Sequence, residues 1–238
     1  MSDLKVSRRQ PIEPSENGLG TRSDWRLALD YLRRTPAIVV LVLFVLAGVV
    51  AFGDTFFSAR NFGSMAVASS FLLIVSVGMT LVIVSGGIDL SVGSMLALGA
   101  VVAAYSAQWG SIAAVLAPLV VCGLIGLTQG VLIGASRMPA FIVTLAGLLF
   151  ARGLAFKISD NGNTTHIIPD GEWVIVLGQG SFLGVGLPAW VALGVLLVGM
   201  VILYRTRFGF ATYARGGSEE AATLMGTRVV RVKIFLYS

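Results

Sequence analysis

The fold of this chain is decided by one short stretch, Gly86-Gly87-Ile88-Asp89-Leu90-Ser91-Val92-Gly93-Ser94. It separates two long apolar runs, 62–85 and 90–109, neither of which contains a charged residue. Two adjacent glycines let the backbone leave helical geometry, and Asp89 or Ser91 can accept hydrogen bonds from the first N–H groups of a new helix. Within lipid, irregular backbone is tolerated only where protein or a water-filled cavity covers it. The stretch therefore predicts a broken or re-entrant element that lines a pathway through a membrane.

The composition also indicates a membrane protein. Of the 238 residues, 56% are hydrophobic and only 12% are charged, whereas about a quarter of a soluble domain is charged. The apolar residues form blocks long enough to cross a bilayer, which takes about 20 residues. The predicted fold is an all-α polytopic transmembrane helical bundle, with about six spans and the start of a seventh. The predicted spans are 37–52, 62–85, 90–109, 110–136, 138–156 and 188–204.

The polar segments complete this division of the chain. Residues 1–36 are predicted to be a cytoplasmic N-terminal segment that is partly disordered. Two alternatives are open for the end of this segment. It forms a short helix that begins at Asp24 and lies on the membrane surface, or it is a solvated segment without a membrane contact. Residues 37–238 are predicted to form a transmembrane domain, within which 205–233 are a polar cytoplasmic loop. The glycine-rich segment 173–187 is expected to be re-entrant or to lie on the surface.

The positive charges are distributed asymmetrically. The net charge is +5, and fourteen of the 17 Lys and Arg residues fall in the segments that a cytoplasmic N-terminus would place on the inner face. Because Lys and Arg favour cytoplasmic loops, this distribution predicts a multi-pass protein with its N-terminus inside. No zinc-ligand spacing or basic-aromatic signature is present in the sequence, so nucleic acid is not a predicted partner.

Asp89 is the one carboxylate in these apolar surroundings. A carboxylate inside a membrane is costly, which makes it a candidate functional group. Three roles are open: it caps the following helix, it contacts a passing substrate, or it couples transport to an ion or a proton. The predicted helix break and pathway lining comprise Gly86, Gly87, Asp89, Ser91 and Gly93.

A second informative pattern lies in the last polar loop and predicts a short helix. Ser218 can cap this helix, acidic residues occupy its first turn where the helix dipole favours them, and Gly226 can end it. Exposed apolar residues near its end suit a groove on another protein, and an ordinary amphipathic loop is the alternative. The residues of this candidate docking helix are Glu219, Glu220, Ala221, Ala222, Leu224, Met225 and Gly226.

Other patterns indicate packing and exclude some chemistry. Gly126, Gly130 and Gly134 recur every fourth residue, which predicts a helix face that another helix approaches closely, with a second copy of the chain as one possible partner. The sequence has no Gly-Lys dipeptide and hence no phosphate-binding P-loop, so ATP hydrolysis by this chain is not expected. No catalytic residue, metal site or cofactor site is predicted.

Three of these segments resemble those of ABC-type sugar importer permeases that handle ribose, xylose, arabinose and galactosides. The stretch 86–93, followed by Ser94-Met95-Leu96-Ala97, is similar to the hallmark segment of that family. Residues 138–148, followed by Arg152-Gly153, are similar to its segment after the fourth span. Tyr213-Ala214-Arg215-Gly216-Gly217, with Glu220-Ala221-Ala222, is similar to its cytoplasmic coupling loop.

The resemblance implies a membrane permease subunit for a monosaccharide, with a pentose such as xylose or ribose favoured. Similar proteins form a dimer of permease subunits in the bacterial inner membrane and receive sugar from a periplasmic binding protein. Two separate ATPase subunits, which bind ATP and magnesium, dock on their cytoplasmic side. By resemblance, Glu220 to Gly226 would be the helix that transmits ATPase closure to the spans.

The resemblance also implies further spans after the coupling loop, whereas this sequence stops where the next apolar run opens. The expectation is therefore an incomplete transmembrane domain, either a fragment or a truncated product. Two alternatives to the importer subunit follow from the sequence. One is a self-sufficient secondary transporter coupled through Asp89, and the other is a truncated remnant that does not transport.

Overall fold

The computed structural model describes residues 36–238, so the features predicted for residues 1–35, including the disordered segment and the helix from Asp24, lie outside the described residues. The chain divides into two compact units, 1–57 and 58–238. In the described part of the first unit, helix α1 spans Pro36–Phe52 and is followed by a 3-10 turn, Gly53–Thr55. Helix α1 contains no charged residue, which agrees with the prediction that residues 37–52 span the membrane.

The regular secondary structure of residues 58–238 is helical apart from one small hairpin. A 3-10 turn, Ala107–Trp109, directly follows the helix Val92–Ser106. The two strands of the hairpin pair antiparallel, with Phe182 opposite Val185. The elements are α2 (Ala59–Val84), α3 (Val92–Ser106), α4 (Ser111–Ala135), α5 (Ala140–Ile158), α6 (Trp173–Gln179), β1 (Ser181–Phe182), β2 (Val185–Gly186), α7 (Leu187–Arg205), α8 (Arg207–Gly217), α9 (Glu219–Leu224) and α10 (Val229–Tyr237).

Six helices in the described part of the chain are long and apolar enough to cross a membrane: α1, α2, α3, α4, α5 and α7. The predicted all-α polytopic bundle is therefore confirmed. The segment 173–187 is a seven-residue helix followed by the hairpin, and both are too short to span a bilayer.

Helix α2 ends in a two-glycine stop. The Gly86 N–H donates to the Ile83 carbonyl at 2.9 Å, and the Gly87 N–H donates to the Val82 carbonyl at 3.0 Å. Gly86 has a φ of +76°, which is the left-handed conformation of a Schellman cap and favours glycine. The chain then continues outside helical geometry until α3 begins. We call residues 85–91 the break.

The two ends of the break are buried, whereas residues in its middle are exposed. Ser85 and Ser91 are each 2% exposed, whereas Ile88 and Leu90 are 56% and 39% exposed. Ser91 lies against Gln129 of α4, and Gln129 fills the space that Gly147 of α5 leaves free. The predicted covering of the break by protein is therefore found at its two ends.

The segment 205–233, predicted as a polar loop between spans, is largely helical. It contains α8, the short helix α9 that the sequence predicts, and the start of α10. The apolar run predicted to open at residue 234 belongs to a helix that begins five residues earlier, at Val229. The sequence reasoning missed α8, in which Thr212 and Arg215 are buried.

The glycine face of α4 packs against α10. A Cβ atom at Gly126 would lie 2.5 Å from the Tyr237 carbonyl oxygen, and one at Gly130 would lie 2.6 Å from the Ile234 carbonyl oxygen. Gly134 approaches the Val230 carbonyl in the same way. The close helix approach that the spacing predicts therefore occurs within the chain, with α10 as the partner instead of a second copy.

Candidate functional site: a cavity beside the break

A cavity of about 810 Å³ lies between α2, α3, α4 and α10, directly beside the break. Most of its lining is apolar, including Phe71 and Met79 of α2 and Met95 of α3. Asp89, Ser91, Gln129, Tyr237 and Ser238 supply its polar groups. A mostly apolar concave site with a few convergent polar groups is the usual form of a small-molecule site. The cavity is therefore the candidate translocation site.

Asp89 organises the end of the break. The backbone N–H and the hydroxyl of Ser91 both donate to Asp89 Oδ1, each at 2.7 Å. An Asp side chain that accepts from the N–H two residues later forms an Asx turn. Because α3 begins at Val92 and Ser91 is its N-cap residue, these bonds hold the turn before α3 and do not cap the helix itself. Asp89 also lines the cavity, so the substrate-contact alternative stays a prediction.

Two residues of the predicted break have other positions. Ser91 does not cap α3 with its side chain, because its hydroxyl donates to Asp89. Gly93 lies in the first turn of α3, and a Cβ atom added there would meet no atom within 4 Å outside the backbone of its own helix. The break itself therefore contains Gly86, Gly87 and Asp89, and it ends at Ser91, while Gly93 belongs to the helix.

Gln129 is a cavity residue that the sequence reasoning missed. Its side chain is 5% exposed, and Ser91 Oγ lies 3.3 Å from its Oε1 atom. A hydroxyl has one proton, which Ser91 already gives to Asp89, and Gln129 Nε2 is buried without a partner among the described residues. Rotating the amide by 180° lets Nε2 donate to Ser91 Oγ, which gives the buried N–H group an acceptor. The signal in the sequence was the one amide side chain within the apolar run 111–135.

The predicted docking helix is present as α9. The Ser218 hydroxyl accepts from the Ala221 N–H at 3.2 Å, and Gly226, with a φ of +81°, ends the helix in a second Schellman cap. Leu224 and Met225 are 89% and 75% exposed. Ala222 is 1% exposed and faces the body of the protein, so it cannot contact a partner. Large apolar side chains this exposed on a short, capped helix indicate an interaction surface.

Glu219 links α9 to its two neighbouring helices. Its Oε1 atom lies 2.6 Å from Lys233 Nζ on α10, and its Oε2 atom lies 3.5 Å from Arg215 Nε on α8. Burial alone would raise the pKa of the Glu219 carboxyl, but the hydrogen bond from Lys233 and the charges of Lys233 and Arg215 outweigh it and lower that pKa below its ordinary value. The carboxyl is therefore ionised near neutral pH.

No group of three or more His, Cys, Asp or Glu side chains that could hold a metal ion occurs in residues 36–238. The polar groups of the cavity are a carboxylate, hydroxyls and an amide, which are suited to hydrogen bonding. Together, the apolar spans, the break between two of them and the cavity beside it describe a membrane protein with an internal candidate site for a small molecule.

Comparison with known proteins identifies the family. Residues 61–238 match the family described as branched-chain amino acid transport system / permease component. The chain is 37% identical over 204 residues to the ribose import permease protein of Escherichia coli (strain K12), covering 84% of this chain and 63% of that protein. It belongs to this family of ABC permease components, and its relatives include permeases named for monosaccharides.

Two further relatives carry such names. The fructose import permease protein of Bifidobacterium longum (strain NCC 2705) is 35% identical over 225 residues, which cover 91% of this chain and 66% of that protein. The L-arabinose ABC transporter permease protein of Azospirillum brasilense is 35% identical over 202 residues, which cover 84% of this chain and 58% of that protein. The chain thus spans less than two thirds of the length of these relatives. No solved structure matches it.

Proposed function

We propose that this chain is the membrane-spanning permease part of an ABC importer that moves a monosaccharide across the bacterial inner membrane. The observation that carries the proposal is its similarity, over 84% of its length, to a permease named for ribose import. The cavity beside the break supports it, because carboxylate, hydroxyl and amide groups suit the hydroxyls of a sugar. A pentose such as ribose or xylose is the favoured substrate, handed over by a periplasmic binding protein.

The proposed assembly contains a second permease copy and two ATPase subunits on the cytoplasmic side. The chain would lie with its N-terminus inside, because that orientation puts α8 and α9 on the face richest in Lys and Arg. ATP and magnesium would bind to the ATPase partners, and this chain would contribute alternating access of its cavity.

Uptake measurements test the proposal in cells that express the chain with its partner subunits. We expect uptake of labelled ribose or xylose to stop when the partner ATPase carries a substitution of its P-loop lysine, and to continue when a protonophore removes the proton gradient. Uptake that needs no ATPase and follows the proton gradient would overturn the proposal in favour of a secondary transporter.

The surface of α9 is the proposed ATPase contact. Replacing Leu224 by aspartate puts a charge at the most exposed apolar position of that surface. If Leu224 is a central contact, co-purification of the ATPase falls by a factor of about 30, the equivalent of the roughly 2 kcal/mol that such a contact contributes. Glu220→Lys, which reverses a charge on the same helix, weakens docking as well.

Ile167→Asp is the matched control for this docking experiment. Ile167 is 80% exposed and lies in the segment between α5 and α6, which the proposed topology puts on the opposite face. The control leaves ATPase co-purification unchanged. Equal binding of the ATPase to the wild type and to Leu224→Asp would rule out α9 as the contact.

Substitution of Asp89 separates a structural role in the turn before α3 from a role that needs the negative charge. In Asp89→Asn the side-chain oxygen still accepts from the Ser91 N–H, so uptake stays close to wild type if Asp89 only holds this turn. Asp89→Ala removes the acceptor and costs about 1–2 kcal/mol of stability at the start of α3, and uptake falls with it. Loss of uptake in Asp89→Asn, with normal amounts of protein, would instead support a role of the charge in substrate contact or in ion coupling.

A further inference from the structure

Glu219, the first residue of α9, holds two cationic side chains at once. Lys233 and Arg215 approach different oxygens of its carboxylate, as described above, and the two belong to different helices, α10 and α8. Glu219 is half exposed, whereas the side chains of Arg215 and Lys233 are 8% and 12% exposed. The carboxylate therefore connects the docking helix with two buried cationic groups that extend into the body of the protein.

The first of these groups reaches the beginning of the break. Arg215 Nη1 donates to the Ser85 hydroxyl at 2.8 Å, across 130 residues of sequence. The same hydroxyl donates to the Val82 carbonyl at 2.7 Å, inside the last turn of α2. Because Ser85 immediately precedes the two glycines, the guanidinium holds the point where α2 stops.

The second group leads to the middle of the break. Lys233 lies one helical turn before Tyr237 on α10, and the Tyr237 hydroxyl donates to the Ile88 carbonyl at 3.4 Å. Gly87 leaves room for that hydroxyl, which a Cβ atom at this position would overlap. Tyr237 also lines the cavity. A shift of α10 would therefore move both the cavity wall and residue 88.

We propose that Glu219 is a positioning residue that, through Arg215 and through Lys233 on α10, fixes residues 85 and 88 of the break to α9. The inference rests on the proposed function and adds to it the path by which α9 controls the cavity. When α9 moves with a docked ATPase, the two cationic groups move with it. Residues 85 and 88 are then displaced together, and the inner end of the cavity changes shape.

Hydrogen–deuterium exchange of the permease chain alone tests this connection without any partner. In Glu219→Gln we expect exchange at residues 85–91 to rise several-fold, because neither cationic group is held. Glu220→Gln is the matched control, since it removes the same charge from the same helix turn, and Glu220 forms no ion pair among residues 36–238. Unchanged exchange at the break in Glu219→Gln would overturn the inference, whether or not an ATPase binds.

The assembled complex gives the functional measurement. In complexes that contain equal amounts of bound ATPase, we expect Glu219→Gln to lower sugar uptake per ATP hydrolysed by about tenfold, within the usual range of coupling free energies. A merely structural role would lower assembly, hydrolysis and uptake in parallel, and that result would contradict the inference. Failure of the wild-type chain to bind any ATPase would instead contradict the proposed function.

A double substitution tests the path itself. If Glu219 acts on the break through Arg215 and Ser85, the effects of Glu219→Gln and Ser85→Ala on uptake per ATP are not additive, because both remove parts of one chain of contacts. Tyr237→Phe, which keeps the ring and removes only the hydroxyl, also lowers sugar uptake per ATP hydrolysed. Additive effects of Glu219→Gln and Ser85→Ala would overturn the proposed path.

Discussion

Gly216→Ala is expected to separate α8 from the end of α2. A Cβ atom at this position would overlap the Val84 carbonyl oxygen, and a backbone atom cannot rotate away as a side chain can. Movement of α8 would also break the hydrogen bond from Arg215 to Ser85, leaving a buried guanidinium without its acceptor. Overpacking of this kind costs about 2–3 kcal/mol, and unfolding in detergent should therefore occur roughly 5–10 °C lower.

The neighbouring glycine provides the control for this substitution. Gly217 is the last residue of α8, and a Cβ atom there has nothing within 4 Å. Gly217→Ala should leave the unfolding temperature within about 2 °C of the wild type, since surface substitutions usually change stability by less than about 0.5 kcal/mol. Equal unfolding temperatures for the two variants would show that α8 does not rest on the Val84 carbonyl.

Gly130→Ala is expected to detach α10 from α4. The added Cβ atom would lie 2.6 Å from the Ile234 carbonyl oxygen and 2.9 Å from its Cα atom, so α10 would have to move outward as a whole. The displacement carries Tyr237 away from the cavity and from Ile88. We expect a loss of about 2–3 kcal/mol, measured as a lower unfolding temperature and as faster hydrogen–deuterium exchange in residues 229–237.

Gly123→Ala is the matched control on the same helix. No atom outside the backbone of its own helix comes within 4 Å of a Cβ at Gly123, and alanine is a better helix former than glycine by about 1 kcal/mol. This variant should be as stable as the wild type or more so. Equal unfolding temperatures for Gly130→Ala and Gly123→Ala would contradict the close packing of α10 against the glycine face of α4.

The sequence was sufficient where the deciding interactions are local. The spans follow from long apolar runs with few charges, since a bilayer accepts little else. The stop at Gly86 and the short helix from Ser218 to Gly226 follow from caps, because a cap joins residues only two to five positions apart. The bonds between Asp89 and Ser91 are local in the same way, although they hold the turn before α3 and do not cap it.

The sequence was insufficient where a residue's role depends on a distant partner. Charges in 205–233 suggested a loop, although Arg215 is buried by its contact with Ser85, 130 residues away. The glycine spacing on α4 showed that some helix approaches closely, but it did not say which one. Gln129 was overlooked because its hydrogen-bonding neighbours are residues outside its own helix.

The sequence by itself thus determined which apolar segments are helices, where they stop and which surface of α9 is exposed. Only the tertiary structure decided that the break ends against Gln129, beside a cavity of about 810 Å³. It also decided that Glu219 is connected to residues 85 and 88 of that break. The physical reason is that hydropathy and capping act over a few residues, whereas the support of the break depends on packing between helices far apart in the chain.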